Sequence, residues 1–94
     1  MLKPTDVFEK NQQIPWRLVE GHAILVDQNE GEIVRLTSVG AAIWEALDGQ
    51  TDVEGLVERL CEIFDASPER VRRDTVSFLK QLRRQDLIEP KGLE

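Results

Sequence analysis

The chain has 94 residues, 40% of them hydrophobic and 32% charged, and a formal net charge of −6. That length makes one domain with one modest core, burying roughly 60–65% of the unfolded surface. No apolar run approaches the ~20 residues that span a bilayer, the opening Met-Leu-Lys-Pro-Thr-Asp lacks the apolar core of a secretory signal, and the single Cys61 excludes an internal disulfide framework. These features read as a cytoplasmic protein with no membrane partner. The negative charge disfavours indiscriminate nucleic-acid binding, whose affinity comes from Lys and Arg on phosphates. The charge is uneven, however: residues 69–86 hold six basic and three acidic residues, a local +3 that leaves −9 on the rest. A basic helix on an acidic body invites an acidic partner along that helix.

Residues 1–15 carry Pro4, Pro15 and a polar Glu-Lys-Asn-Gln-Gln run. They read either as a loosely ordered tail or as an arm that Val7 and Phe8 dock on the body as a short extra strand. Residues 16–20 form a first strand candidate, Gly21-His22 a two-residue turn, and residues 23–27 a second strand. Residues 28–31 are a turn, because Asn29 and Gly31 accept left-handed geometry. The third strand is 32–36, Glu-Ile-Val-Arg-Leu, whose alternation turns Val34 and Leu36 to the core and Ile33 and Arg35 away from it. Short loops favour an antiparallel meander with this third strand at an edge.

Residues 36–49 are the junction about which the chain is organised. Thr37 is placed to cap a helix with its hydroxyl. Val39, Ala42, Ile43, Ala46 and Leu47 recur at helical spacing as one apolar stripe, and Gly49 ends the helix in the left-handed region. Thr51-Asp52-Val53-Glu54 fits a capping box, with Val53, Leu56, Val57, Leu60 and Phe64 as the stripe of a second helix and Cys61 beside it. Gly55 costs that helix up to ~1 kcal/mol relative to Ala. Ser67 caps a third helix with Pro68 at its first position. Its core stripe is Val71, Thr75, Phe78 and Leu82, with Leu79 and Val76 progressively off it. Arg72, Val76, Lys80 and Arg83 line a flanking face. The helix ends near Asp86, Leu87 and Ile88 close the core, and Pro90 is a stop. The expected fold is α+β: a three-stranded antiparallel β-sheet followed by a three-helix bundle, winged helix-turn-helix-like. Residues 1–15 are the arm, 16–90 the domain, and 91–94 a tail, its Leu93-Glu94 read as vector-derived.

No cluster looks catalytic. One His and one Cys are too few for a zinc site of those ligands, and His22 reads as a solvated turn residue. Cys61 reads as a small core residue, no activated nucleophile can be assembled, and the glycines lack a phosphate-binding spacing. The expectation is a non-enzyme with no metal and no cofactor. Two surfaces remain. The basic third helix reads as a DNA-reading face or as a solvated face whose stems cover the core. The edge strand Glu32, Ile33, Val34, Arg35, Leu36 reads as a site for an added peptide strand or as an edge merely protected by its charges.

The order Gly-His-Ala-Ile-Leu-Val-Asp, a turn, Gly-Glu-Ile-Val-Arg-Leu-Thr, Gly-Ala-Ala-Ile-Trp-Glu-Ala-Leu-Asp-Gly and Thr-Asp-Val-Glu-Gly-Leu-Val resembles the PqqD family, named for a small protein of pyrroloquinoline quinone biosynthesis. The stretch Phe-Asp-Ala-Ser-Pro-Glu-Arg-Val-Arg-Arg-Asp-Thr through Gln-Asp-Leu-Ile is similar to its third helix. The likeness covers about residues 16–89, and it departs at Thr37-Ser38, where many members have Asn. The resemblance implies a recognition element for ribosomally made, modified peptides: the leader of a precursor peptide is held as an added strand and presented to a modifying enzyme, often a radical-SAM protein, with no DNA bound. Carried onto this chain, the implied peptide-binding positions are Glu32 to Leu36 together with Arg72, Val76, Leu79, Lys80 and Arg83. Val76 and Leu79 would floor a groove, and the cations would attract carboxylates on the leader, so that replacing Arg72 and Lys80 by Glu weakens binding. The alternatives are a winged-helix regulatory module that binds DNA and an adaptor for a folded partner enzyme. The oligomeric state is left open.

Overall fold

The computed structural model describes residues 2–27 and 30–91. In chain order it contains β1 (Phe8–Lys10), β2 (Trp16–Val19), β3 (His22–Asp27), β4 (Glu32–Leu36), α1 (Ser38–Ala46), α2 (Val53–Ile63), α3 (Pro68–Arg84) and β5 (Ile88–Pro90). Strands β2, β3 and β4 form the expected antiparallel meander, with β4 at one edge. The expected side-chain alternation holds. Leu36 is buried and Val34 half-buried, while Ile33 is 71% exposed and Arg35 exposed. Of the turn at 28–31, residues 28 and 29 lie outside the described residues, and Gly31 has the expected left-handed φ of 69°.

The first hairpin turns one residue earlier than expected. Val19 pairs with His22, so Glu20-Gly21 is the loop, both at positive φ (53° and 82°). These are the left-handed values that a two-residue turn matching the strand twist requires. His22 is therefore the first residue of β3 rather than a turn residue, and its Nδ1 accepts from the Arg35 guanidinium at 2.9 Å.

The arm is built into the fold. Strand β1 pairs antiparallel with β5, Val7 bridges Asp52, and the Lys91 N–H donates to the Val7 carbonyl. The chain after Leu87 thus continues as the short strand β5 through Pro90, where the sequence predicts only a closing hydrophobic piece and a stop. Residues 92–94, including the Leu93-Glu94 read as vector-derived, lie outside the described residues.

The helices keep their positions with several corrections of detail. Thr37 stands at the N-cap of α1, but its hydroxyl makes no cap bond. The buried face of α1 is Ala41, Ile43, Trp44 and Ala46, whereas Val39 is 37% exposed and Ala42 half-buried. The reason is Trp44: its ring is fully buried and meets Trp16 edge-to-face at 5.8 Å, and that turns the helix about its axis. Helix α1 ends at Ala46, so the positive φ of Gly49 (75°) belongs to the loop that follows. In α2 the cap is Asp52, which accepts from the Gly55 N–H, while the Thr51 hydroxyl donates to Asp48 and Glu54 pairs with Arg72. Helix α3 is capped by Ser67 with Pro68 at its start, as expected. Its buried residues are Val71, Thr75, Leu79 and Leu82; Phe78 lies half-buried at the margin. Leu79 is fully buried, so it belongs to the stripe from which spacing had displaced it.

Candidate functional site

The edge of β4 and the flank of α3 beside it form the first candidate surface. Which main-chain groups β4 leaves open follows from antiparallel geometry, in which a residue's N–H and C=O point to the same side and alternate along the strand. The Val26 N–H donates to the Pro15 carbonyl, toward β2. Val26 therefore does not bond to its β4 partner Ile33, whose own groups point outward. The register Ile24↔Arg35 and Val26↔Ile33 repeats this, while Leu25↔Val34 and Ala23↔Leu36 are the bonded pairs. The N–H and C=O of Ile33 and Arg35 are thus the open positions of the edge.

Helix α3 runs beside this edge in the opposite sense. At its middle, Phe78 packs near the end of β4: a Cβ placed on Gly40 would lie 3.2 Å from the Phe78 ring and 3.7 Å from Leu36 Cβ. Gly40 is therefore what lets α1, α3 and the end of β4 approach so closely. At the C-terminal end of α3, Arg84, Gln85 and Asp86 share an open recess with Asp27, Glu30 and Glu32 at the start of β4. Helical spacing puts Asp74, Phe78, Gln81 and Gln85 on the flank facing the edge. Val34 and Phe78 are half-buried against the core, Leu36 is buried and Val39 is 37% exposed, so the Leu36 end of β4 is apolar, whereas the recess at its Glu32 end carries four carboxylates with Arg84.

The α3 residues singled out from sequence fall elsewhere. Arg72 donates to the Glu54 carboxylate of α2. Val76 is half-buried against the core, one turn along the same flank. Lys80 and Arg83 line a cleft with Leu2, Lys3, Asp6, Phe8 and Pro90. The fold thus brings Leu36, at the end of β4, near Phe78, and helical spacing sets Arg72, Val76, Lys80 and Arg83 on the opposite flank of α3, with Leu79 beneath both. Phe78 was missed because spacing assigned it to the core. A bulky aromatic at the rim of the buried stripe was the available signal.

Arg35 is anchored by both its Nε and Nη2 to His22 Nδ1, at 3.2 and 2.9 Å. Among the described residues no group of three or more His, Cys, Asp or Glu side chains is placed to hold a metal, and no helix is long and apolar enough to cross a membrane.

The family model described as "Coenzyme PQQ synthesis protein D (PqqD)" matches residues 22–88. Among solved structures, "TbiB1 in complex with the TbiA(beta) leader peptide" is similar, with a TM-score of 0.78 and 23% identity over 92% of this chain and 98% of that one. At that identity the likeness speaks to the fold. No curated protein matches the chain significantly.

Proposed function

The chain belongs to the PqqD family, and from that premise we propose that it is a non-catalytic recognition element that binds the leader of a ribosomally made precursor peptide as a strand added to β4. It then presents that peptide to a modifying enzyme such as a radical-SAM protein. The observation that carries this reading is the outward direction of the Ile33 and Arg35 main-chain groups on an edge strand whose far end lies near Phe78. Backbone pairing at these two residues supplies affinity without sequence demands, and pockets for alternate side chains supply selectivity. Side chains of the added strand that point inward meet Val34, Leu36 and Phe78. The neighbour TbiB1, whose structure holds a leader peptide, has the same fold over nearly its whole length, which supports the reading.

The carboxylates at the Glu32 end make that end of the groove favour a neutral or basic residue of the leader. This replaces the expectation of leader carboxylates drawn to Lys80 and Arg83, because those cations face the other flank. The DNA-reading alternative loses support for the same kind of reason: Arg70 and Arg72 are engaged by Asp74 and Glu54, which breaks up the basic face of α3.

The test is an NMR titration of amide-labelled protein with the leader of a short precursor encoded beside its gene. Shifts concentrated at residues 32–36 and around Phe78 are expected. Shifts confined to α3, produced by duplex DNA and not by the leader, would overturn the proposal.

A further inference from the structure

On the far flank of α3 from the β4 edge lies an open cleft of about 620 Å³, enclosed by the N-terminal arm and β5. Its floor is apolar: Leu2, Pro90 and Phe8, the last only 6% exposed. Its rim carries Lys3, Lys80, Arg83 and Arg84, against the single acid Asp6. Asp6 is engaged locally, accepting from the Lys3 backbone N–H at 2.8 Å. The ion pairs Arg70–Asp74, Arg72–Glu54 and Lys91–Glu9 involve none of Lys3, Lys80 and Arg83, while Arg84 also borders the recess of Glu30, Glu32 and Asp86. In a chain of net charge −6, four such cations around an apolar floor create a local field opposite in sign to that of the molecule.

We propose that this cleft is a second binding site, which takes an acidic segment with one large apolar side chain, contributed by the enzyme that receives the peptide. This assignment rests on the reading of β4 as the peptide edge. The apolar side chain seats over Phe8 and Pro90, and the carboxylates flanking it form charge-assisted hydrogen bonds with Lys80 and Arg83. The occupant is a second chain rather than a continuation of the bound leader. Glu30, Glu32 and Asp86 line the recess at the Glu32 end of the edge and repel an acidic continuation of the same peptide. A strand on β4 also leaves the cleft open, so α3 serves as a wall common to both sites, one flank for each.

The probe is a fluorescein-labelled peptide, Gly-Asp-Glu-Leu-Glu-Asp-Gly, with a copy carrying Ser in place of Leu as control. Amide shifts are expected at residues 2–8, 80–84 and 90, with affinity falling as salt is raised. The exposed pair K80E/R83E should weaken the probe at least tenfold, while the leader still shifts residues 32–36 in that variant. The purified modifying enzyme should displace the probe. Equal binding of the Leu and Ser peptides, insensitivity to K80E/R83E, or competition between probe and leader would overturn the second site. Failure of the enzyme to displace a bound probe would overturn the assignment of the occupant. Loss of the leader's shifts at 32–36 with the probe's shifts intact would overturn the β4 reading and leave the cleft standing as a site.

Discussion

The Lys10 ammonium donates a 2.6 Å hydrogen bond to the Leu47 carbonyl, just beyond the end of α1. The carbonyls at a helix end lack intrahelical partners and attract cations. The same ammonium lies 5.4 Å from the Trp16 ring centroid and 5.7 Å from that of Trp44, within cation–π range. One side chain from β1 thereby ties the arm to the end of α1 and to the tryptophan pair joining α1 to the sheet. Burial lowers the pKa of Lys10, and the charges of Asp48 and Glu45 oppose that shift only in part.

Lys10→Met is therefore expected to cost about 1–2 kcal/mol in chemical denaturation at neutral pH. The lowered folded pKa also fixes a pH dependence. Between that value and the ordinary 10.5, the unfolded chain binds more protons than the folded one, so Lys10 makes stability rise with pH across that window. Denaturation curves from pH 8 to 10.5 should show this rise in the parent protein and a flatter profile in the Met variant.

Proline substitution tests the alternation of the β4 edge. Ile33→Pro removes an N–H that points away from β3, and edge strands accept proline at such positions. It should leave the melting temperature within about 4 °C of the parent, equivalent to less than about 1 kcal/mol, and weaken leader binding more than tenfold. Val34→Pro removes an N–H that bonds to Leu25 and should destabilise the whole sheet. Equal damage from both, read by circular dichroism melts, would show that the alternation is assigned to the wrong residues.

Gly55 sits inside α2, where Ala is favoured by about 1 kcal/mol. A Cβ there would lie 2.7 Å from Thr51 Cγ2. Thr51 cannot turn that methyl aside without giving up the bond from its hydroxyl to Asp48, 3.0 Å. Gly55→Ala is thus expected to be neutral or destabilising in the parent. In a Thr51→Ser background, which keeps the hydroxyl and deletes the methyl, the same change should add up to about 1 kcal/mol. A double-mutant cycle by urea denaturation measures the difference.

Asp48 organises the turn between α1 and α2. Its carboxylate accepts from the Gln50 and Thr51 N–H groups, both at 2.9 Å. These bonds, Gln50 first, hold its pKa below the ordinary carboxylate value, and slight burial opposes them. The folded pKa lies below the unfolded one, so the stability Asp48 contributes is present above about pH 4 and is lost as pH falls through the folded value. Asp48→Ala should cost about 1 kcal/mol at pH 7, and the gap between variant and parent should narrow as pH falls through the folded value in acid titrations followed by tryptophan fluorescence.

The third strand, its edge position and the caps at Ser67 and Pro68 were legible in the sequence because each depends on local chemistry: alternation in Glu-Ile-Val-Arg-Leu, a hydroxyl before a proline, short turns. The stripe of α2 was legible for the same reason, since Val53, Leu56, Val57 and Leu60 recur at one helical spacing and are all buried. Where two local solutions compete, tertiary contacts chose between them. Asp52 rather than Thr51 caps α2 because Thr51 is held by Asp48. Glu20-Gly21 is the turn because His22 is drawn into β3 opposite Val19. Trp44 rotates α1 inward because its ring meets Trp16 from a different strand. The candidate site divides in the same way. Spacing alone put Arg72, Val76, Lys80 and Arg83 on one flank of α3, and that grouping is a property of any helix. Which flank meets β4 depends on where Gly40 lets Phe78 approach Leu36 and on the arm that closes over Lys80 and Arg83. These are contacts between residues tens of positions apart, and only packing of the whole chain brings them together.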